Sequence, residues 1–142
     1  MLFRSFSPAM LAKAKAANDR QFGLRAEFQQ GDIDTLALPA RAFDTVVSTL
    51  SLCAYRDPAA VLAKMNAWCR PGGQVLLLEH GLSSFAPLAA LQRLFDPLAY
   101  RFVGCHQNKD IRGLIEASPL VVERAERMMA GMAHLVWCRA SG

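Results

Sequence analysis

The sequence predicts an α/β fold around a mostly parallel sheet of five or six strands, with helices on both faces and an antiparallel last strand. Three observations carry this reading. Residues 43–53, FDTVVSTLSLC, form an apolar β-type run that ends in polar residues. Residues 70–80, RPGGQVLLLEH, have the same character. Between them Val61, Leu62, Met65 and Trp68 recur at helical spacing. Strand, helix and strand make a βαβ unit, whose strands lie parallel because the crossover helix returns the chain to the same end of the sheet. Ligands bind such sheets beyond the carboxyl ends of the strands, where Ser48, Thr49 and His80 fall.

The remaining elements follow in chain order. Residues 2–6, LFRSF, read as a short strand. Ser7-Pro8 opens a helix to Asn18, because serine caps an N-terminus well and the fixed φ of proline suits the first turn. Residues 24–29, LRAEFQ, alternate as a strand does, and Gly31-Asp32 closes them. Residues 34–38 allow a helical turn before Pro39. Asp57-Pro58 starts the crossover helix, Pro71-Gly72-Gly73 makes a tight turn, and residues 74–78 read as a buried strand. Residues 85–103 are strongly apolar and mostly helical, with interruptions expected at Pro87 and Pro97. A polar patch over 104–110 leads into a helix over 109–117, and two last strands fall near 120–123 and 133–138.

A length of 142 residues suits one domain, 1–142. A hydrophobic content of 53% with 20% charged residues excludes a disordered or collagen-like chain. The net charge of +4 is scattered, apart from Lys13/Lys15 and Arg124/Arg127, so no nucleic-acid partner is expected. Cys53, Cys69, Cys105 and Cys138 show no metal-ligand spacing; no metal is assigned, and they read as buried reduced thiols rather than disulfides. Arg4, Ser5 and Ser7 interrupt any signal-peptide core, and no run approaches the ~18 apolar residues of a membrane span. The expectation is an intracellular protein, cytoplasmic or mitochondrial.

Several motifs, in this order, resemble one family. They are Ser5-Phe6-Ser7-Pro8-Ala9-Met10-Leu11, Gly31-Asp32-Ile33, Ser48-Thr49-Leu50, Arg70-Pro71-Gly72-Gly73, Glu79-His80 and the run GCHQNKD over 104–110. Together they resemble class I S-adenosylmethionine (SAM)-dependent methyltransferases, in the small-molecule branch that includes thiol, phospholipid and quinone methyltransferase-like proteins. The resemblance implies a Rossmann-like methyltransferase fold, SAM as cofactor, and methyl transfer to a small apolar substrate. Ser5 stands where the family carries the acid that binds the ribose hydroxyls, and Phe6 where an apolar residue packs on the adenine. Gly31, Asp32 and Ile33 match the adenine site, with Asp32 accepting from the amino group. Ser48, Thr49 and Leu50 match the residues that face the methionine part.

Methyl transfer from a sulfonium needs a lone pair held in line and often a base to free it. His80, at a strand's carboxyl end, is the first candidate and His106 the second; for each, a structural hydrogen bond is an equal alternative. His134 reads as packing only. Residues 85–103 could line an apolar pocket, touch a membrane surface, or bury against the domain. The family's first strand, glycine-rich loop and first helix have no counterpart in these residues, and no Gly-x-Gly occurs. Three expectations stay open: an N-terminally truncated enzyme, a chain needing an oligomer or partner to supply the strand, or a degenerate fold serving as a non-catalytic interaction module. A nicotinamide dehydrogenase is the weaker alternative, for want of a dinucleotide fingerprint.

Overall fold

The computed structural model describes residues 2–5, 7–21 and 25–142, which gather into two units, 1–37 and 38–142. In the first, β1 (Leu2–Ser5) pairs in parallel with β2 (Glu27–Gln30), Leu2 opposite Glu27 and Ser5 opposite Gln30. The helix α1 (Pro8–Asn18) packs on both strands and buries Leu11. Ser7 caps it as expected, its Oγ accepting the Met10 N–H at 3.4 Å. The strand β2 starts later than its alternation suggests. The expected turn after it is held by a bond from the Leu36 N–H to the Ile33 carbonyl.

The second unit holds β3 (Phe43–Thr49), α2 (Pro58–Trp68), β4 (Cys69–His80), α3 (Ala86–Val103), α4 (Ile111–Glu116), β5 (Val121–Met128) and β6 (Ala133–Arg139). Its sheet runs in the order β3-β4-β6-β5. β3 and β4 are parallel, with Val46 opposite Val75 and Thr49 opposite Leu78. The last strand, β6, is antiparallel to both neighbours. The βαβ unit and the antiparallel last strand therefore stand as the sequence predicts.

Side chains of one parity along β4, Val75, Leu77 and Glu79, are buried. The helices α2 and α4 pack against each other and against the sheet, and Leu52, Val61, Leu62, Ile111 and Ile115 are almost solvent-free. Burying each such aliphatic side chain is worth about 1.5–3 kcal/mol. Helices were expected on both faces of the sheet; within this unit α2 and α4 lie against the buried parity. Residues of the other parity, Val47 at 63% exposure and Leu78 at 37%, face outward. The third helix does not cover them, and keeps Leu94, Leu98 and Phe102 exposed.

Two further corrections concern proline and glycine. Pro87 lies in the first turn of α3, where its missing N–H is not needed, and the helix runs unbroken through Pro97 to Val103 at the loss of one internal bond. Around Pro71 the strand starts earlier than residue 74, with Cys69 already opposite Phe43. Gly73 is obligatory there: a Cβ would lie 2.7 Å from both the Asp44 carbonyl oxygen and Cys69 Sγ. Gly73→Ala should therefore cost about 1–3 kcal/mol in urea unfolding, the usual range for overpacking; an unchanged midpoint would contradict this close approach.

Candidate active site

The carboxyl ends of β3 and β4 are joined through a buried acid. Glu79 is fully buried. Its Oε1 accepts from Ser48 Oγ at 2.6 Å, and its Oε2 accepts from the Ser51 and Leu52 amides at 2.9 and 3.1 Å. Ser51 Oγ lies 2.8 Å from Ser48 Oγ and donates to it, because the Ser48 proton goes to the acid. Burial pushes the Glu79 carboxyl above the usual range, against the pull of the bonds from Ser48, Leu52 and Ser51. The acid thus fixes the loop that leaves β3. Leu50, at the start of that loop, takes a left-handed φ of 51° and is 55% exposed. For a side chain of this kind that conformation costs roughly 1–2 kcal/mol, and it is held by the Leu50 N–H bond to the Leu78 carbonyl.

The next residue along β4, His80, is half-buried, and its Nε2 lies 2.9 Å from Cys105 Sγ. Burial lowers its pKa. Cys105 is bonded to Cys53, their Cα atoms 5.3 Å apart. The expectation of four reduced thiols is corrected for this pair: the cysteines are 52 residues apart in sequence, and only the fold brings the β3–α2 loop against the segment after α3. Cys69 and Cys138 are free and buried, as expected. Lys109 braces the same loop, its Nζ donating to the Tyr55 carbonyl at 2.6 Å. Gly81 lets the 109–111 segment lie flush on the end of β4, since a Cβ there would meet the Lys109 carbonyl oxygen at 2.7 Å.

His106 is held differently. Its Nδ1 lies 2.9 Å from Asp96 Oδ2, and Asp96 Oδ1 accepts the Gln107 N–H at 2.6 Å. Burial alone would raise the Asp96 carboxyl; the bonds from His106 and the Gln107 amide outweigh it and hold the carboxyl below its ordinary value. Tyr100 stacks on the imidazole, centroids 4.3 Å apart and planes within 10°. Since Asp96 accepts, Nδ1 carries a proton, and in the neutral imidazole the lone pair is then on Nε2. Asp96 escaped the sequence reading because it sits inside an apolar helix beside Pro97. Its ten-residue offset from His106 matches no local motif.

The other sequence-assigned residues divide between the two units. In the second, Ser48 is committed to Glu79, while Thr49 and Leu50 are exposed at the end of β3. In the first, Ser5 Oγ accepts the Ser7 N–H at 3.1 Å. Asp32 is exposed, with Oδ1 accepting the Asp34 N–H, and the half-buried Gly31 donates its N–H to the Ser5 carbonyl. Ile33 beside it is half-buried. Phe6 lies outside the described residues. Asp32 in the first unit offers an exposed carboxylate that suits an amino donor, and Thr49 and Leu50 in the second offer open groups at a strand end. Ser5 and Ser48 have their hydroxyls engaged internally. His134 is buried within β6, as expected of a packing residue.

Residues 5–77, just over half of the chain, match the family described as methyltransferase domain. The chain belongs to the class I SAM-dependent methyltransferases. It is similar to a phosphatidylethanolamine N-methyltransferase from Cereibacter sphaeroides, at 34% identity over 90 residues, covering 62% of this chain and 44% of the relative. A ubiquinone/menaquinone biosynthesis C-methyltransferase from Bdellovibrio bacteriovorus is 29% identical over 76 residues, covering 54% of this chain and 32% of that one. The chain thus spans less than half the length of these curated relatives. In fold it is similar to a SAM-dependent methyltransferase from Mesorhizobium loti, with a TM-score of 0.74 at 19% identity, covering 97% of this chain and 79% of that one. The family match takes in β3, α2 and the RPGG turn and ends just before Glu79.

The raised Glu79 pKa has a testable sign. Its stabilising share is complete below the ordinary carboxyl pKa of 4.5 and is lost as pH rises through the higher folded value. Glu79→Gln keeps an acceptor for the two amides and a donor for Ser48 without titrating. Between about pH 4 and pH 8 the urea midpoint of the wild type should therefore decline relative to that of the variant, the other titrating groups being common to both. An identical pH slope in both proteins would contradict the assignment.

Proposed function

We propose that this chain transfers the methyl group of SAM to a nucleophilic atom on a small acceptor with an apolar body, with His106 as the base. The Asp96–His106 pair carries the reading. A buried carboxylate fixes the tautomer of a part-exposed imidazole and would stabilise the imidazolium formed when Nε2 takes a proton. Of the two histidines read from the sequence, His80 has its Nε2 against Cys105 Sγ, so the proton is assigned to His106.

Bound SAM supplies an electrophilic methyl on a sulfonium. The resemblance assigns its ribose to Ser5, its adenine to Phe6, Gly31, Asp32 and Ile33, and its methionine end to Ser48, Thr49 and Leu50. Support for an apolar acceptor comes from α3, whose exposed Leu94, Leu98 and Phe102 lead directly to His106. Support also comes from the relatives named for phosphatidylethanolamine and for ubiquinone/menaquinone biosynthesis, since each of these molecules joins a polar head to a long apolar body.

The test is transfer of labelled methyl from SAM to phosphatidylethanolamine vesicles and to a short-chain quinol. His106→Ala should lower turnover by about 10²–10⁴-fold, and Asp96→Asn should lower it too, because an amide can hold the wrong tautomer. Affinity for S-adenosylhomocysteine should stay unchanged in both. Full turnover in His106→Ala would place the base elsewhere, and absence of transfer to either acceptor by the intact chain would remove the acceptor class.

A further inference from the structure

Three side chains at the end of β4 are not used by the proposed proton transfer. They are Cys53, His80 and Cys105, contributed by the β3–α2 loop, the last residue of β4, and the segment after α3. Their two sulfur atoms and one ring nitrogen all lie within 4.8 Å of one another. Cys53 is 1% exposed and Cys105 8%. Each is held from outside the cluster. Glu79 pins the amides just before Cys53, and Lys109 pins the carbonyl at Tyr55 just after it. The His106 amide donates to the Cys53 carbonyl at 3.4 Å. His80 ends a strand that is paired on both sides.

We propose that Cys53, His80 and Cys105, in the reduced chain, bind a borderline-soft divalent cation, zinc in the first instance, and that the Cys53–Cys105 disulfide is the metal-free oxidised form of the same site. Two thiolates and one imidazole are a known zinc donor set that leaves a fourth position open. With bonds of about 2.3 Å to sulfur and 2.0–2.1 Å to nitrogen, tetrahedral ligand atoms lie roughly 3.5 Å apart. His80 Nε2 and Cys105 Sγ, 2.9 Å apart, need only a small adjustment to reach that spacing. The sulfurs must separate once their bond is cut, and Cα atoms 5.3 Å apart allow this by side-chain rotation. Two thiolates also neutralise the dication, so the buried complex carries no net charge to desolvate. The fourth position is left for a water or an acceptor heteroatom.

The change of state balances as follows. A dithiol donor gives up two electrons and two protons, becoming a disulfide, and the Cys53–Cys105 bond opens to two thiols. Metal binding then releases the two thiol protons to solvent. Sequence spacing alone could not reveal this set, because its members are 27 and 25 residues apart on three separate elements.

The test uses the full chain reduced with a water-soluble phosphine, which becomes the phosphine oxide with oxygen taken from water. Zn²⁺ is titrated in competition with a chromophoric chelator, and Co²⁺ is read by absorption. The reduced chain should bind about one equivalent, and the oxidised chain should bind none at the same concentrations. Cobalt should show thiolate charge-transfer bands together with the intense visible bands of a tetrahedral site. Losing an outer-shell partner of a metal ligand costs about 10–100-fold in affinity, so Cys53→Ser, Cys105→Ser or His80→Ala should cost at least that. Cys69→Ser, outside the cluster, should leave zinc affinity unchanged. Zinc affinity equal in the reduced wild type and the Cys53→Ser/Cys105→Ser double variant would overturn the site. So would a wild-type cobalt spectrum without thiolate bands, a result that does not depend on any variant folding.

Discussion

A single carboxylate, Glu79, closes the ends of the two parallel strands, because burying it obliges the surrounding chain to supply donors. Ser48 provides a hydroxyl from β3, and Ser51 and Leu52 provide two amides from the loop that follows. An uncompensated buried charge would cost several kcal/mol, so the loop is drawn to the acid rather than free to follow its own preferences. The left-handed Leu50 is one consequence of that sharp turn. A second is the position of Cys53, and through it the segment after α3 that carries Cys105 and His106. The strand ends of the second unit therefore form a platform whose loop geometry is set by one acid.

Much of this was legible in the sequence, and for identifiable reasons. The βαβ unit could be read because its strands are uninterrupted apolar runs and its helix repeats Val61, Leu62, Met65 and Trp68 on one side. The buried strand over 74–78 could be read from its apolar run, whereas its earlier start at Cys69 could not, because Pro71-Gly72-Gly73 has the composition of a turn. Caps at Ser7 and Asp57 announced both helices, and each side chain accepts the expected amide.

The chemistry was less legible, because it depends on contacts between distant residues. Asp96 carries no motif in the sequence, yet it is buried and fixes His106. Cys53 and Cys105 have unremarkable spacing, and only the crossing of two loops joins them. The apolar run of α3 left open whether it lines a pocket, touches a membrane surface or is buried, and its Leu94, Leu98 and Phe102 are exposed. A pattern reports which residues avoid water; it does not name the surface that will cover them. The exposed face of α3 and the paired Asp96–His106 are adjacent in the chain, and the proposed acceptor class and proposed base both rest on that adjacency.

The central claim is that the carboxyl ends of these strands are the reaction face. Amide chemical-shift mapping of the intact chain with S-adenosylhomocysteine tests it most directly. The account predicts perturbations at Asp32 and Ile33 and at Thr49 and Leu50, while the amides at the opposite ends of β3 and β4, around Phe43 and Gln74, stay in place. Perturbations gathered around Phe43 and Gln74, or no saturable change at any of the four named residues, would contradict it.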